Sequence, residues 1–344
     1  MEKAVTQETF EKGRAYAQTV VDALNESVSP FHAVLHAKKS LIAHGFTEIQ
    51  EHKAWELKPG NSYFFSRNGT TIVAFTVGKG CKAGGPEMFK IVGCHTDSPT
   101  IRLAPVSRVS SKGFEQMAIQ TYGGGHWLTW FDRDLSLAGR VVVNNKGRLE
   151  SRLWHHKEPL LRIPHLAIHL SIGDERTTFK PNKENHLRPV IATSVIDQLF
   201  NKPGPEEEKK ECPYDIDRKH MKSFLELIAK ETNCNPEDII DFELSMFDAS
   251  PSCLIGLYKE FISSGRLDNL CSSITALHAL IERSKEESEE QSIDMIVLYD
   301  HEEIGSQTHQ GADSTMLSDT IRRIFFVLEE GAGKTYGNLS CDRF

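Results

Sequence analysis

The feature that most constrains the fold is a change of sequence pattern that begins near residue 104. Between residues 104 and 195, proline, glycine and β-branched residues alternate, as in 139–147 and 161–170, and no helical period is present. The chain on both sides of this stretch shows helical and strand-like patterns instead. A β-rich unit inserted into an α/β chain explains this arrangement. At about 100–200 residues per domain, a chain of 344 residues is long enough for two such domains.

We therefore expect an α/β domain that is interrupted by a β-rich insert. Residues 1–103 form the first part of the α/β domain, residues 104–240 the insert, and residues 241–344 the second part. Helices are predicted within 8–45, with a break at Ser29 and Pro30, and at 218–231, 269–285 and 313–329. Strands are predicted at 62–67 and 71–77, joined by an Asn-Gly turn, at 89–94, which is short and apolar enough to be buried, and at 242–247 and 293–299.

Charge and cysteine usage exclude several classes of function. The 40 basic and 48 acidic side chains give a net charge of −8 and a pI of about 6.0, so the chain has no general attraction to nucleic acid or anionic lipid. No run approaches the ~18 apolar residues of a membrane helix, and the N-terminus carries no signal-peptide core. The seven cysteines follow no disulfide or zinc-ribbon spacing. We therefore expect a cytoplasmic protein with neither a nucleic-acid nor a membrane partner.

Two short polar clusters carry side chains that can bind a metal ion. His95 and Asp97 follow the apolar run 91–94, at the carboxyl end of a predicted strand, where ligands gather in open α/β sheets. A histidine there can bind metal while the carboxylate two residues later orients it, but a turn with a surface histidine explains the same residues. Asp268 precedes a predicted helix. Aspartate commonly caps a helix at this place, although its two oxygens can also bridge two cations.

A third cluster follows the predicted strand 293–299 and contains the adjacent residues Glu302 and Glu303. Neighbouring side chains point in opposite directions on a regular strand. At a strand end, one glutamate can bind a metal while the other faces the substrate water. Two carboxylates beside a divalent cation are the arrangement of metal-assisted hydrolysis, although acidic pairs are also common on protein surfaces.

Five ordered motifs together resemble the aspartyl aminopeptidase family of zinc metallopeptidases. They are 94–99 (CHTDSP), 122–141 (YGGGHWLTWFDRDLSLAGRV), 162–170 (RIPHLAIHL), 265–270 (GRLDNL) and 301–306 (HEEIGS). The resemblance implies a phosphorylase/hydrolase-like α/β catalytic domain interrupted by a β-rich dimerisation domain. It also implies a cytoplasmic homo-oligomer, a dodecamer in the family, with two zinc ions (Zn2+) per subunit. Its peptide substrates carry Asp or Glu at the N-terminus, and the enzyme removes that residue.

The resemblance further implies roles for single residues. His95 matches a ligand of one metal ion, Asp268 the carboxylate that bridges the two ions, and Glu303 a ligand of the other. Glu302 matches the general base, and Asp97 matches the residue that orients His95.

A histidine from the insert of an adjacent subunit reaches the active site in the family, and His165 and His169 are the candidates for this contact with substrate. Residues four apart face the same side of a strand, so we expect both imidazoles on one side. Partly buried strand histidines explain the two residues equally well.

The resemblance changes at the C-terminus. The segment 338–342 matches the one that supplies a further aspartate ligand, Asp342, but the family continues with Met-Ala-His where this chain has Arg343 and Phe344. Since the last histidine ligand then has no counterpart, we expect an incomplete second catalytic segment, at most about one bound zinc ion, and little activity. The alternative function is a catalytically impaired form that acts only as an interaction subunit.

Overall fold

A computed structural model describes residues 5–81, 85–200, 216–286 and 289–330. They form two compact units. The first contains the residues up to Ser98 together with those from Ser252 onward, and the second contains Pro99–Pro251. The insert expected at 104–240 therefore starts earlier and ends later in the structure. The reason is that the strands Thr100–Ser111 and Ile239–Asp248 both belong to the sheet of the second unit.

In chain order, the helices are α1 (Gln7–Glu26), α2 (Pro30–Ala43), α3 (Ser194–Phe200), α4 (Ile216–Lys219), α5 (Lys222–Thr232), α6 (Leu267–Ser284) and α7 (Met316–Glu330). The strands are β1 (Thr47–Glu48), β2 (Ser62–Arg67), β3 (Thr71–Val77), β4 (Met88–His95), β5 (Thr100–Ser111), β6 (Phe114–Tyr122), β7 (Leu135–Asn145), β8 (Arg148–His155), β9 (Val190–Thr193), β10 (Ile239–Asp248), β11 (Cys253–Ile255), β12 (Phe261–Ser263) and β13 (Ser292–Tyr299). The helices and strands predicted with stated bounds all have counterparts among them, whereas the strand expected through His165 and His169 does not form. None of the helices in the described ranges is both long and apolar enough to cross a membrane.

The first unit is built on a five-stranded sheet with the strand order β1-β2-β3-β13-β4. β2 and β3 form the predicted hairpin, and Asn68 and Gly69 at its turn have the positive φ angles that tight hairpin turns require. β13 runs antiparallel to β3 and parallel to β4, with Tyr299 opposite His95 as the last pair. The carboxyl ends of β4 and β13 therefore lie side by side. Two of the three polar clusters follow these strands.

The strands β3 and β13 bury both of their faces. Alternate side chains, such as Ile72 and Ile296, belong to one core with α2 and α6. Their neighbours Val73 and Val297 belong to a second core with α7 on the opposite face. Because strand side chains alternate between faces, a strand covered on both sides carries a continuous apolar run, as these two do.

The position of β4 differs from the prediction. The apolar run at 89–94 predicts a buried strand, but Met88 is 54% exposed and Val92 is 50% exposed. In the described part of the sheet, β4 is the edge strand and pairs with β13 alone. The prediction of a strand is confirmed and the prediction of its burial is wrong, because an apolar composition does not distinguish a central strand from an edge strand.

The second unit contains a six-stranded sheet with the strand order β8-β7-β10-β5-β6-β9. All of its neighbouring strands are antiparallel. Helix α5 contributes Phe224, Leu225 and Ile228 to the core that the sheet shares. The unit is β-rich, as the sequence predicts, and the fold as a whole is α/β.

Candidate active site

His95 is the last residue of β4, and its imidazole is buried. The ring Nδ1 lies 2.9 Å from the carbonyl oxygen of Asp97, so Nδ1 carries the proton and donates it to that carbonyl. The Oδ1 atom of Asp97, which is completely buried, lies 3.4 Å from the same nitrogen. This arrangement leaves Nε2 unprotonated in the neutral ring and available to bind a metal ion. The predicted orientation of His95 by Asp97 therefore has a geometric basis.

Asp268 lies at the start of α6, in a stretch that is not helical. The dihedral angles of Asp268 and Asn269 depart from helical values, and the N-cap position is Arg266. The N-cap residue Arg266 makes no side-chain capping hydrogen bond, and Asp268 does not occupy the cap position. Its carboxylate is instead 82% exposed, and Oδ1 lies 3.4 Å from Nε2 of His95.

Glu302 and Glu303 lie in a single 3-10 turn, Glu302–Ile304, that follows β13. The turn is flanked by His301 and Gly305, both with positive φ angles. The backbone N–H of Glu302 donates to Oδ1 of Asp97 at 3.2 Å, and that of Glu303 donates to Oδ2 at 3.1 Å. Both oxygens of one buried carboxylate thus hold the main chain of this turn.

One ligand atom each from His95, Asp268 and Glu303 lies within 4.8 Å of the others. The carboxylate of Glu302 is next to this group, with Oε2 3.6 Å from Nε2 of His95. An imidazole nitrogen with several carboxylate oxygens is a donor set that suits zinc. The structure therefore brings together five of the predicted residues, and three of them form a group that can hold a metal ion.

The electrostatics of the site favour a bound cation. Burial raises the pKa of Glu303, and the charges of Glu302, Asp268 and Asp97 raise it further against the opposing charge of His95. Burial alone would lower the pKa of His95, but the hydrogen bonds and charge of Asp97, together with the charge of Glu302, outweigh it and raise the pKa to about 9. Neighbouring carboxylates contribute to both shifts, and a divalent cation would neutralise their negative charge.

His165 and His169 belong to the second unit, and both are exposed. The predicted strand with both imidazoles on one side is wrong, because Leu161 and Arg162 form only isolated bridges and His169 lies in a 3-10 helix, Ile168–Leu170. Pro164 follows shortly after these bridges and has no N–H to continue a ladder. The ring of His165 packs edge-on against Phe179, with 4.6 Å between ring centroids.

Three residues that the sequence did not single out support the site. The backbone N–H of His95 donates to Asn269, the hydroxyl of Ser273 donates to the carbonyl of His95, and the hydroxyl of Ser98 donates to the carbonyl of Asp268. Ser98 and Asn269 lie within the motifs 94–99 and 265–270, and Ser273 lies further along α6, but polar residues are common in loops and on helices, so no local signal predicts these hydrogen bonds. The last predicted ligand, Asp342, lies outside the described residues.

Comparison with known proteins connects this geometry to a family. The family described as "Aminopeptidase I zinc metalloprotease (M18)" matches residues 23–339. A probable aspartyl aminopeptidase from Ricinus communis is 42% identical over 336 residues, which are 92% of this chain and 68% of the relative. An aspartyl aminopeptidase from Caenorhabditis elegans is 41% identical and covers 94% of this chain and 69% of the relative.

Solved structures show the same similarity. The cryo-EM structure of an Ape4 and Nbr1 complex matches with a TM-score of 0.85 and 37% identity, covering 97% of this chain and 62% of that one. A structure of Chaetomium thermophilum mApe1 matches with a TM-score of 0.82 and 32% identity over 94% and 71% of the two chains. An mApe1 dodecamer from S. cerevisiae matches with a TM-score of 0.75 and 27% identity, over 91% and 66%. The chain thus spans about two thirds of the length of the proteins that it resembles.

Proposed function

Because the chain belongs to the M18 family of aminopeptidase I zinc metalloproteases, we propose that it is a zinc-dependent aminopeptidase that releases Asp or Glu from the N-terminus of peptides. The observation that carries the proposal is the group formed by His95, Asp268 and Glu303, with the carboxylate of Glu302 beside it. The preference for acidic residues is supported by relatives that are named aspartyl aminopeptidases.

The residues of the proposed site divide into ligands and a base. His95, Asp268 and Glu303 would hold zinc, and Asp268, whose carboxylate is the most exposed of them, would be the one shared if a second ion binds. Zinc held there would supply Lewis-acid polarisation of the scissile carbonyl and would make a water molecule more acidic.

Glu302 takes the proton in the proposed reaction. Its carboxylate is 52% exposed, so water and substrate can reach it. It accepts a proton from the attacking water and passes it to the amine that leaves. Asp97 keeps the backbone of this base in place through the N–H of Glu302 and keeps the ring of His95 in its ligand orientation.

The proposal includes a homo-oligomer and a cytoplasmic location. The similarity to an mApe1 dodecamer supports assembly of several copies. His165 and His169 are proposed to contact the substrate at the active site of an adjacent subunit. In the described part of the chain, Cys81, Cys94, Cys234, Cys253 and Cys271 are free thiols. Such thiols suit a reducing compartment.

The test uses the purified chain and two peptides that differ in one group. A peptide with N-terminal Asp and its counterpart with N-terminal Asn have nearly the same shape but differ in charge. We expect Asp to be released in preference to Asn, at the low rate expected from the sequence, with loss of this activity with a chelator and recovery with zinc. Elemental analysis of the same sample counts the zinc ions. A chain that binds zinc but releases neither residue would favour the alternative of an impaired form that serves as an interaction subunit.

A further inference from the structure

Three hydrogen bonds join the end of β4 to the start of α6. The backbone N–H of His95 donates to Oδ1 of Asn269 at 3.2 Å, and Oγ of Ser273 donates to the carbonyl oxygen of His95 at 2.7 Å. In the opposite direction, Oγ of Ser98 donates to the carbonyl oxygen of Asp268 at 2.9 Å. We call Ser98, Asn269 and Ser273 the main-chain clamp, because each side chain binds a backbone group of the other segment.

Regular secondary structure does not determine where Asp268 lies. Its φ and ψ angles of −85° and 109° are not helical, and the N-cap residue Arg266 makes no side-chain capping hydrogen bond. On the other segment, His95 is the last residue that β4 pairs with β13. The two proposed ligands thus lie where a ladder ends and where a helix begins. The main-chain clamp connects these two places by hydrogen bonds.

Two members of the clamp, and the histidine that they help to position, are buried. Ser273 is 3% exposed, and Ser98 and His95 are each 8% exposed. If the Ser273 hydroxyl is removed, the carbonyl of His95 loses its donor in a place that water reaches poorly, so the backbone must shift to satisfy it. Zinc sites tolerate only a few tenths of an ångström in their ligand distances. A small shift of the His95 backbone would therefore be felt by the metal.

We propose that Ser273, together with Asn269 and Ser98, positions the main chain of His95 against Asp268, so that Nε2 and Oδ1, 3.4 Å apart, bind the same zinc ion. The three residues act through backbone groups of the ligand segments and are positioning residues rather than ligands. This inference rests on the proposed function, since it presupposes that His95 and Asp268 bind zinc.

The chain provides a matched control for the test. Ser273→Ala removes the hydroxyl of the clamp, whereas Ser272→Ala removes an exposed hydroxyl from the preceding residue of the same helix. Zinc affinity is measured by competition with a chromophoric chelator, and the geometry of the site by the visible absorption of the Co(II)-loaded protein. We expect ~10–100-fold weaker zinc binding and an altered Co(II) spectrum for Ser273→Ala, the range found for outer groups that hold ligands. Ser272→Ala should match the wild type, and Ser273→Thr, which keeps the hydroxyl, should recover most of the affinity.

The outcomes separate the two proposals. If Ser273→Ala binds zinc as tightly as the wild type and gives the same Co(II) spectrum, the clamp does not position the ligand and the inference is overturned, while the proposed zinc site stands. If the wild type itself binds no zinc, both are overturned. Should Ser273→Ala fail to fold by circular dichroism, Asn269→Ala replaces it. That variant removes the acceptor of the His95 N–H at a partly exposed position and is expected to weaken zinc binding and alter the Co(II) spectrum in the same direction.

Discussion

The Oδ2 atom of Asp97 accepts a hydrogen bond from the backbone N–H of Glu303 at 3.1 Å. The same carboxylate accepts the N–H of Glu302 through Oδ1, which also faces Nδ1 of His95. One fully buried group therefore connects the strand that ends in the histidine to the turn that carries both glutamates. Its contribution extends beyond the orientation of one imidazole that the sequence predicts.

Asp97→Asn tests this double role. The amide keeps one acceptor oxygen but presents an NH2 group where the second backbone N–H donates, so one buried donor loses its partner. We expect a loss of about 1–3 kcal/mol in the free energy of unfolding and weaker zinc binding. Denaturant unfolding and chelator competition measure the two effects. Unchanged stability would contradict the proposed support of the 302–303 turn.

Replacing each of the two adjacent glutamates by glutamine in turn separates the role of the base from that of the metal ligand. Glu302→Gln should leave zinc binding nearly intact while the release of N-terminal Asp falls by ~10²–10⁴-fold, the usual effect of losing a general base. Glu303→Gln should weaken zinc binding itself, because it removes a charged ligand. Metal content and turnover are measured on both variants. Normal turnover in Glu302→Gln would overturn its assignment as the base.

Gly311 packs closely against the backbone of the loop that follows the two glutamates. A Cβ at this position would lie 2.1 Å from the backbone oxygen of Ser306, whereas a Cβ at Gly13 of α1 would meet nothing within 4 Å. We expect Gly311→Ala to destabilise the protein by about 1–3 kcal/mol through overpacking. Gly13→Ala should stabilise it by about 0.5–1 kcal/mol, since alanine is the better helix former. Thermal unfolding of both variants measures these changes in stability. If Gly311→Ala leaves the stability unchanged, the loop relaxes to accommodate the added methyl group.

His165→Phe and His169→Phe test the proposed contact with substrate. Phenylalanine at 165 can keep the edge-on packing against Phe179 and Phe131, so folding should survive. We expect lower aminopeptidase activity with unchanged oligomer size for at least one of the variants. Size-exclusion chromatography with light scattering supplies the second measurement. Loss of assembly without any separate effect on activity would assign these residues a structural role.

His220 should make the second unit sensitive to acid. Burial lowers the pKa of His220 from 6.5 to about 4; the charge on Asp241 opposes this shift and the charge on Lys219 adds to it. Nδ1 of His220 lies 2.8 Å from the hydroxyl of Ser107. As the pH falls, His220 therefore takes up a proton at a higher pH in the unfolded chain than in the folded protein. The free energy of unfolding that neutral His220 supports above pH 6.5 is lost progressively towards pH 4. At pH 5 the loss is about 2 kcal/mol.

His220→Gln is the control for this pH effect, because glutamine does not titrate. Urea unfolding can be followed by tryptophan fluorescence, since three of the four tryptophans, Trp127, Trp130 and Trp154, lie in the second unit. The difference in the free energy of unfolding between wild type and variant should change by about 2 kcal/mol between pH 7.5 and pH 5. The same pH dependence in both proteins would show that other groups dominate.

The sequence predicted the elements of the fold well where local pattern decides them. The helical period of α1 and α2, the Asn-Gly hairpin and the apolar run of β13 are all properties of neighbouring residues. Prediction was less successful where the outcome depends on distant contacts. The burial of β4 depends on which strands flank it, and the course of the chain through His165 depends on where a ladder ends.

The sequence by itself determined the α/β class, the β-rich insert and the identity of His95, Asp268, Glu302 and Glu303 as candidates, because motif order and side-chain chemistry are written in the chain. Only the tertiary structure decided that His95, Asp268 and Glu303 meet within 4.8 Å and that Asp97 holds both glutamates. It also decided that Asn269, 174 positions away along the chain, accepts the N–H of His95. The physical reason is that hydrogen bonds and metal ligation depend on distances of a few ångströms between atoms, and for residues so far apart in sequence those distances are set by how the sheet and helices pack.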